Sequence, residues 1–145
     1  MEAHASAVHG AVIDAPRRWL RLEGALLATV ATLAYAKAGG GWGEFAAWLL
    51  LPDVALLAYV AGPRAGAMAY NLAHTAAVPL ALAGAGLLGA ETMALKAALI
   101  WWAHIGFDRA LGFGLKYPSG FGDTHLGRLG GRAKIHPHAP HPADR

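Results

Sequence analysis

The sequence predicts an all-α fold, an integral membrane bundle of four transmembrane helices with both termini in the cytoplasm. Three observations predict it: apolar stretches of about twenty residues each, helix breakers between them, and an uneven distribution of Lys and Arg over the resulting segments. A soluble domain usually carries about a quarter charged residues. Here 14% are charged and 56% are hydrophobic, and most of the charges lie outside the apolar stretches. Segregation on that scale suits lipid better than a water-facing surface.

The first stretch, Trp19 to Ala38, follows a polar segment, residues 1–18, that includes Asp14, Pro16, Arg17 and Arg18. That segment lacks the pattern of a cleaved signal peptide, so the stretch is expected to be a retained span. Gly39-Gly40-Gly41 breaks it, and a second stretch runs from about Trp42 to Ala61. Gly62-Pro63-Arg64 is the next break, because proline lacks the amide hydrogen and restricts the residue before it. The third stretch runs from Ala65 to Ala90, with a kink expected at Pro79; Glu91 and Thr92 form a short turn; the fourth runs from Met93 to Arg109 or slightly beyond. The membrane domain is thus placed at residues 19–130, with a His/Pro-rich, disordered tail at residues 131–145.

Of the 12 Lys and Arg residues, only Lys37 and Lys96 fall on one side of this arrangement. The others gather at the chain ends and at Arg64, which places both termini inside a bacterial inner membrane. The same distribution argues against nucleic acid as a partner: the basic residues hug span ends and form no stripe, despite a formal charge of +3. The bilayer is the expected partner. Ala81, Ala83, Gly84, Ala85, Gly86 and Gly89 offer a small-residue face for close helix packing, within one chain or in a homo-oligomer. Because cysteine is absent, thiolate catalysis and Cys-based metal sites are excluded.

Ionisable groups inside the spans are costly and mark functional candidates. They are Glu23, Asp53, His74, His104 and Asp108, with Tyr70 and Asn71 beside them. At about 1.5 Å of rise per residue, Asp53, His74 and His104 fall at one depth, roughly 12–14 Å inside the cytoplasmic boundary. Glu23, Asn71 and Asp108 form an expected second layer at roughly 4–9 Å. His104 and Asp108, four apart, share a helix face, as do Asn71 and His74, three apart. An imidazole held by a carboxylate one turn away suits a metal ligand or a general base. Asp53, His104 and Asp108 are the candidates for catalysis, and Glu23, Asp53, His74 and His104 for ligands of a divalent transition metal. Tyr70, Asn71, Arg109 and His125 are candidates for support. Three alternatives stand beside the metal: a haem between His74 and His104, a proton or ion path, and a hydrogen-bond network, such as Asp53 to His74, that only fixes helix registry.

After the fourth span, Arg109 to Gly127 mixes Gly with Phe113, Lys116, Tyr117 and Phe121. This composition suits a membrane-surface turn folding back over the cytoplasmic mouth, where Asp123, Thr124 and His125 would approach the site. No phosphate-binding loop pattern is present.

The blocks Pro52-Asp53, Gly62-Pro63-Arg64, Tyr70-Asn71-Leu72-Ala73-His74-Thr75, His104-Ile105-Gly106-Phe107-Asp108-Arg109, Gly112-Phe113-Gly114-Leu115-Lys116-Tyr117 and Asp123-Thr124-His125-Leu126-Gly127 resemble those of a bacterial family of small membrane proteins, a domain of unknown function. The resemblance covers about Trp19 to Gly130, with Gly112-Phe113 where Gly-Tyr is expected. It implies a multi-pass membrane protein and no particular activity.

Overall fold

The computed structural model describes residues 10–12 and 14–129. Residues 1–9 of the polar N-terminal segment and the His/Pro-rich tail lie outside the described residues. The architecture is helical apart from one small hairpin. α1 spans Asp14–Lys37; α2, Trp42–Leu49, runs on into a 3₁₀ helix, Leu51–Ala61; α3 is Pro63–His74, α4 Ala77–Leu88 and α5 Thr92–Leu111. The hairpin strands are β1, Asp123–Thr124, and β2, Gly127–Arg128. Two rods, Trp42–Ala61 and Pro63–Leu88, are long and apolar enough to cross a membrane. α1 and α5, with 24 and 20 residues, have the length but carry internal charges such as Arg21, Glu23, Lys96 and Asp108. The expected breakers act where the sequence puts them: Gly39 follows α1 and Gly62 separates the two apolar rods, both at positive φ, and Gly112, also at positive φ, ends α5.

Both apolar rods are interrupted near their middles. In the first, Pro52 has no amide hydrogen to continue the α pattern, and the chain tightens into 3₁₀ geometry, with Asp53 N donating to Leu50 O at 3.1 Å. An 11-residue 3₁₀ run is unusually long. In the second, Pro79 cannot donate to the Thr75 carbonyl, and the helix opens at Thr75 and Ala76, one turn before the proline. The indole of Trp101 on α5 donates to the Ala73 carbonyl at 2.7 Å, which satisfies a group in the turn that opens.

α5 is the central element, packed against α1, α4 and α2. Its seam with α1 is a backbone contact: a β-carbon on Gly106 would stand 2.5 Å from Ala28 N, and one on Gly24 would stand 2.6 Å from Arg109 Cβ. The small residues of α4 take a lesser part, since Gly86 abuts Leu95 N whereas Gly84 meets nothing within 4 Å. At the end of the bundle away from the hairpin, Ala31, Tyr35, Phe45, Ile100 and Ala103 form the core. The opposite face of α1 exposes Trp19, Leu22, Leu26, Val30 and Leu33 at intervals of three and four residues. Water would disfavour such a stripe.

From Gly112 to Leu129 the chain folds back over one end of the bundle. The hairpin pairs Asp123 with Arg128, and Lys116 bridges to Thr124. Val12 N donates to His125 O at 2.7 Å and the Tyr117 hydroxyl to Gly10 O at 3.0 Å. The segment before the first helix and the cap after the last therefore meet at the same end of the bundle.

Candidate metal centre

The helix interruptions deliver the polar groups. Asp53 lies in the first turn of the 3₁₀ helix, His74 is the last residue of α3, and His104 and Asp108 sit one turn apart on α5. His74 Nε2 lies 3.0 Å from His104 Nε2, 3.3 Å from Asp53 Oδ1 and 3.4 Å from Asp108 Oδ2. His104 Nε2 lies 3.6 Å from each of those oxygens. One donor atom from each of the four residues can be chosen so that all lie within 4.8 Å of one another. Donors at about 2.0–2.1 Å from a tetrahedral metal stand about 3.3 Å apart, so most of these separations are edges of such a polyhedron. Both imidazoles are buried, at 4% and 3% exposure.

Tyr70 organises this group through three different parts. Its carbonyl accepts from His74 Nδ1 at 2.9 Å; a carbonyl can only accept, so Nδ1 carries the hydrogen and neutral His74 points its Nε2 lone pair at the cluster. Its ring stacks on the His74 imidazole with centroids 3.6 Å apart and planes at 13°. Its hydroxyl donates to Asp108 Oδ2 at 3.1 Å, the oxygen that faces both histidines.

The cap is clamped beside the site by Asn71. Its amide donates to Lys116 O at 2.9 Å, and its carbonyl oxygen accepts from Lys116 N at 2.7 Å. The Lys116 side chain is buried, 4.7 Å above the Tyr70 ring centroid and 3.8 Å from that of Phe121, with Nζ donating to Phe121 O at 2.8 Å. Burial pushes the Lys116 ammonium below the usual lysine range, against the upward pull of the Asp108 and Asp53 charges. His125 accepts from Leu115 N at Nδ1 over 2.8 Å. Burial, together with the nearby Arg109 guanidinium, lowers its proton affinity.

Asp53, His74, His104 and Asp108 are thus brought together, with Tyr70 and Asn71 in contact with the site or its cap. Asp108 shares one cluster with the histidines and does not form a separate layer. Glu23, expected as a ligand, is exposed on α1 and stands outside the group. α1 turns Gly24, Ala28, Ala31 and Tyr35 inward, which leaves Glu23 to one side. The two Nε2 atoms stand 3.0 Å apart with carboxylate oxygens of Asp53 and Asp108 beside them, a mixed nitrogen and oxygen set rather than the bis-imidazole pair of a haem. Asp123 and Thr124 shape the hairpin, through Ser119 Oγ to Asp123 Oδ2 at 2.8 Å and Thr124 Oγ1 to Gly127 O at 2.6 Å. Lys116 and Trp101 were not among the sequence candidates; nothing in a single sequence places residue 116 against residue 71, or residue 101 against residue 73.

The chain matches, over residues 17–129, the family described as a domain of unknown function, DUF4260. It belongs to that family. No curated protein and no solved structure matches it significantly. All four clustered residues and the cap fall within the DUF4260 region, so the site belongs to the family's domain.

Proposed function

We propose that this is a four-span protein of the bacterial inner membrane, with both termini cytoplasmic, that holds one divalent transition-metal ion through Asp53, His74, His104 and Asp108. The observation that carries the reading is the convergence of two carboxylate oxygens and two imidazole nitrogens with no lysine or arginine ion-paired to Asp53 or Asp108 among the described residues. Two negative charges at that depth demand compensation. A divalent cation supplies it, and mixed nitrogen and oxygen donors suit first-row ions such as Zn²⁺, Fe²⁺ or Mn²⁺. The outward apolar stripe on α1 supports extending the membrane from the two apolar rods to α1 and α5.

The test is metal content. The full chain purified in detergent should carry about one ion per chain, and Asp53→Asn should lose it. The 3.0 Å contact between the imidazoles favours a second reading, a metal-free hydrogen-bond network that fixes helix registry or passes protons. A metal-free parent whose Asp53→Asn variant loses only stability would establish that reading. Reporter fusions test the topology: those after Lys37 and Glu91 should report the periplasm, and those after Arg64 and Arg132 the cytoplasm. A cytoplasmic report at Lys37 would overturn the four-span arrangement.

A further inference from the structure

Resting on the metal reading, we infer that the ion keeps one coordination position open towards a small cavity under the cap, filled by water and exchangeable for hard monoanions of water's size, with Arg109 as the anion-facing group. The cavity is about 10 Å³ and is lined by His74 and Asp108, by Tyr70 and Arg109, and by the cap around Gly114. That volume admits about one water, and a buried water needs two to four polar partners. Asp108, Tyr70 and Arg109 supply them. Four protein ligands close a tetrahedral site, so the water enters as a fifth ligand, which suits ions that take more than four donors, such as Fe²⁺ or Mn²⁺.

Charge gives the second argument. A divalent ion and two carboxylates sum to zero, which leaves Arg109 at the cavity, with Lys116 over the Tyr70 ring, as added positive charge. Among the described residues Arg109 makes no ion pair. The groups packed around it do not neutralise it: α1 presents Gly24, whose missing β-carbon makes room for the Arg109 stem, and the cap presents His125. A partly buried guanidinium without a counter-charge is costly. An anion on the metal would compensate it directly.

Fluoride is the probe, because it matches water in size. The full chain, loaded with Co²⁺ in detergent, is titrated with sodium fluoride against a sodium perchlorate control, reading visible absorption and the ¹⁹F line width. A saturable spectral change with ¹⁹F broadening is expected. Arg109→Gln should weaken apparent fluoride affinity about tenfold at unchanged cobalt stoichiometry. If that variant does not fold, Arg109→Lys, which keeps the charge without the planar fork, should weaken it by a smaller factor. Cobalt bound with no response to fluoride would mean a closed four-ligand site and would overturn the inference alone. Parent affinity in a folded Arg109 variant would overturn the role of Arg109. Failure to bind cobalt at all would sink the metal reading itself, a separate outcome.

Discussion

The two sides of the bundle are built on opposite principles. Along the α1–α5 seam the helices are continuous, and the contact is made by backbone against backbone at Gly24, Ala28 and Gly106. On the side carrying the two apolar rods, both helices are broken at or one turn before a proline, at Leu50 to Pro52 and at Thr75 to Ala76, and the breaks bring Asp53 and His74 towards α5. Continuous helix gives rigidity without chemistry. Interrupted helix gives up part of its hydrogen-bond ladder and aims side chains that a regular rod would leave elsewhere. α5 belongs to both sides, presenting Gly106 to the seam and His104 and Asp108 to the site.

That contrast breaks most readily at the seam. Gly106→Leu should leave no stably folded protein in detergent, because even a β-carbon would lie 2.5 Å from Ala28 N. Gly84→Leu, placed where nothing stands within 4 Å, should shift stability by no more than about 0.5 kcal/mol. Thermal unfolding followed by tryptophan fluorescence reads both, and comparable losses would mean that the seam is not the scaffold. Next comes the cluster. His74→Ala and His104→Ala should each remove most of the bound metal, and the double variant should lose little more, since groups sharing one centre are not additive. Additive losses would point to two independent packing roles.

A smaller effect is expected at the cap. Asn71→Leu removes both hydrogen bonds to the Lys116 backbone and should cost about 1–3 kcal/mol, read as faster hydrogen exchange at Lys116 with exchange along the seam unchanged. The smallest effect concerns pH. His125 has its proton affinity lowered from an ordinary value of 6.5, so its contribution is fully present above that pH and is lost as the pH falls through the depressed folded value. The Leu115 amide should therefore exchange faster relative to the seam amides at acid pH in the parent. A pH-independent ratio of Leu115 to seam exchange rates would remove His125 as the cause.

Much of this was legible in the sequence because it is written in spacing and in breakers. Gly39, Gly62, Pro63 and Glu91 mark the rod ends, and hydropathy marks the two apolar rods. Equal depth brought His74 and His104 together, as their ring centroids, 5.0 Å apart, bear out. Axial counting failed for Asp108, because helical side chains lean towards the N-terminus and its carboxylate reaches up to the level of His104. It failed for Glu23 because α1 is apolar and small on several faces, so its rotation could not be read. The kink at Pro79 was expected at the proline, and the opening lies one turn earlier, where the unpaired carbonyl of Thr75 is. The clamp between Asn71 and Lys116 joins residues far apart in sequence with no periodic pattern behind it.

The seam and the cap also order events in time. Gly24 lies on the first helix of the described residues and Gly106 on the last, yet each rests against the other's backbone. Two of the four clustered donors, His104 and Asp108, arrive with that same final helix, and Lys116 follows them. Until then the earlier helices hold only Asp53 and His74, half of the cluster. Contacts this distant in sequence close slowly, so the domain waits for α5, which both locks the seam and completes the cluster. Closure of the seam and completion of the four-residue cluster thus become a single step.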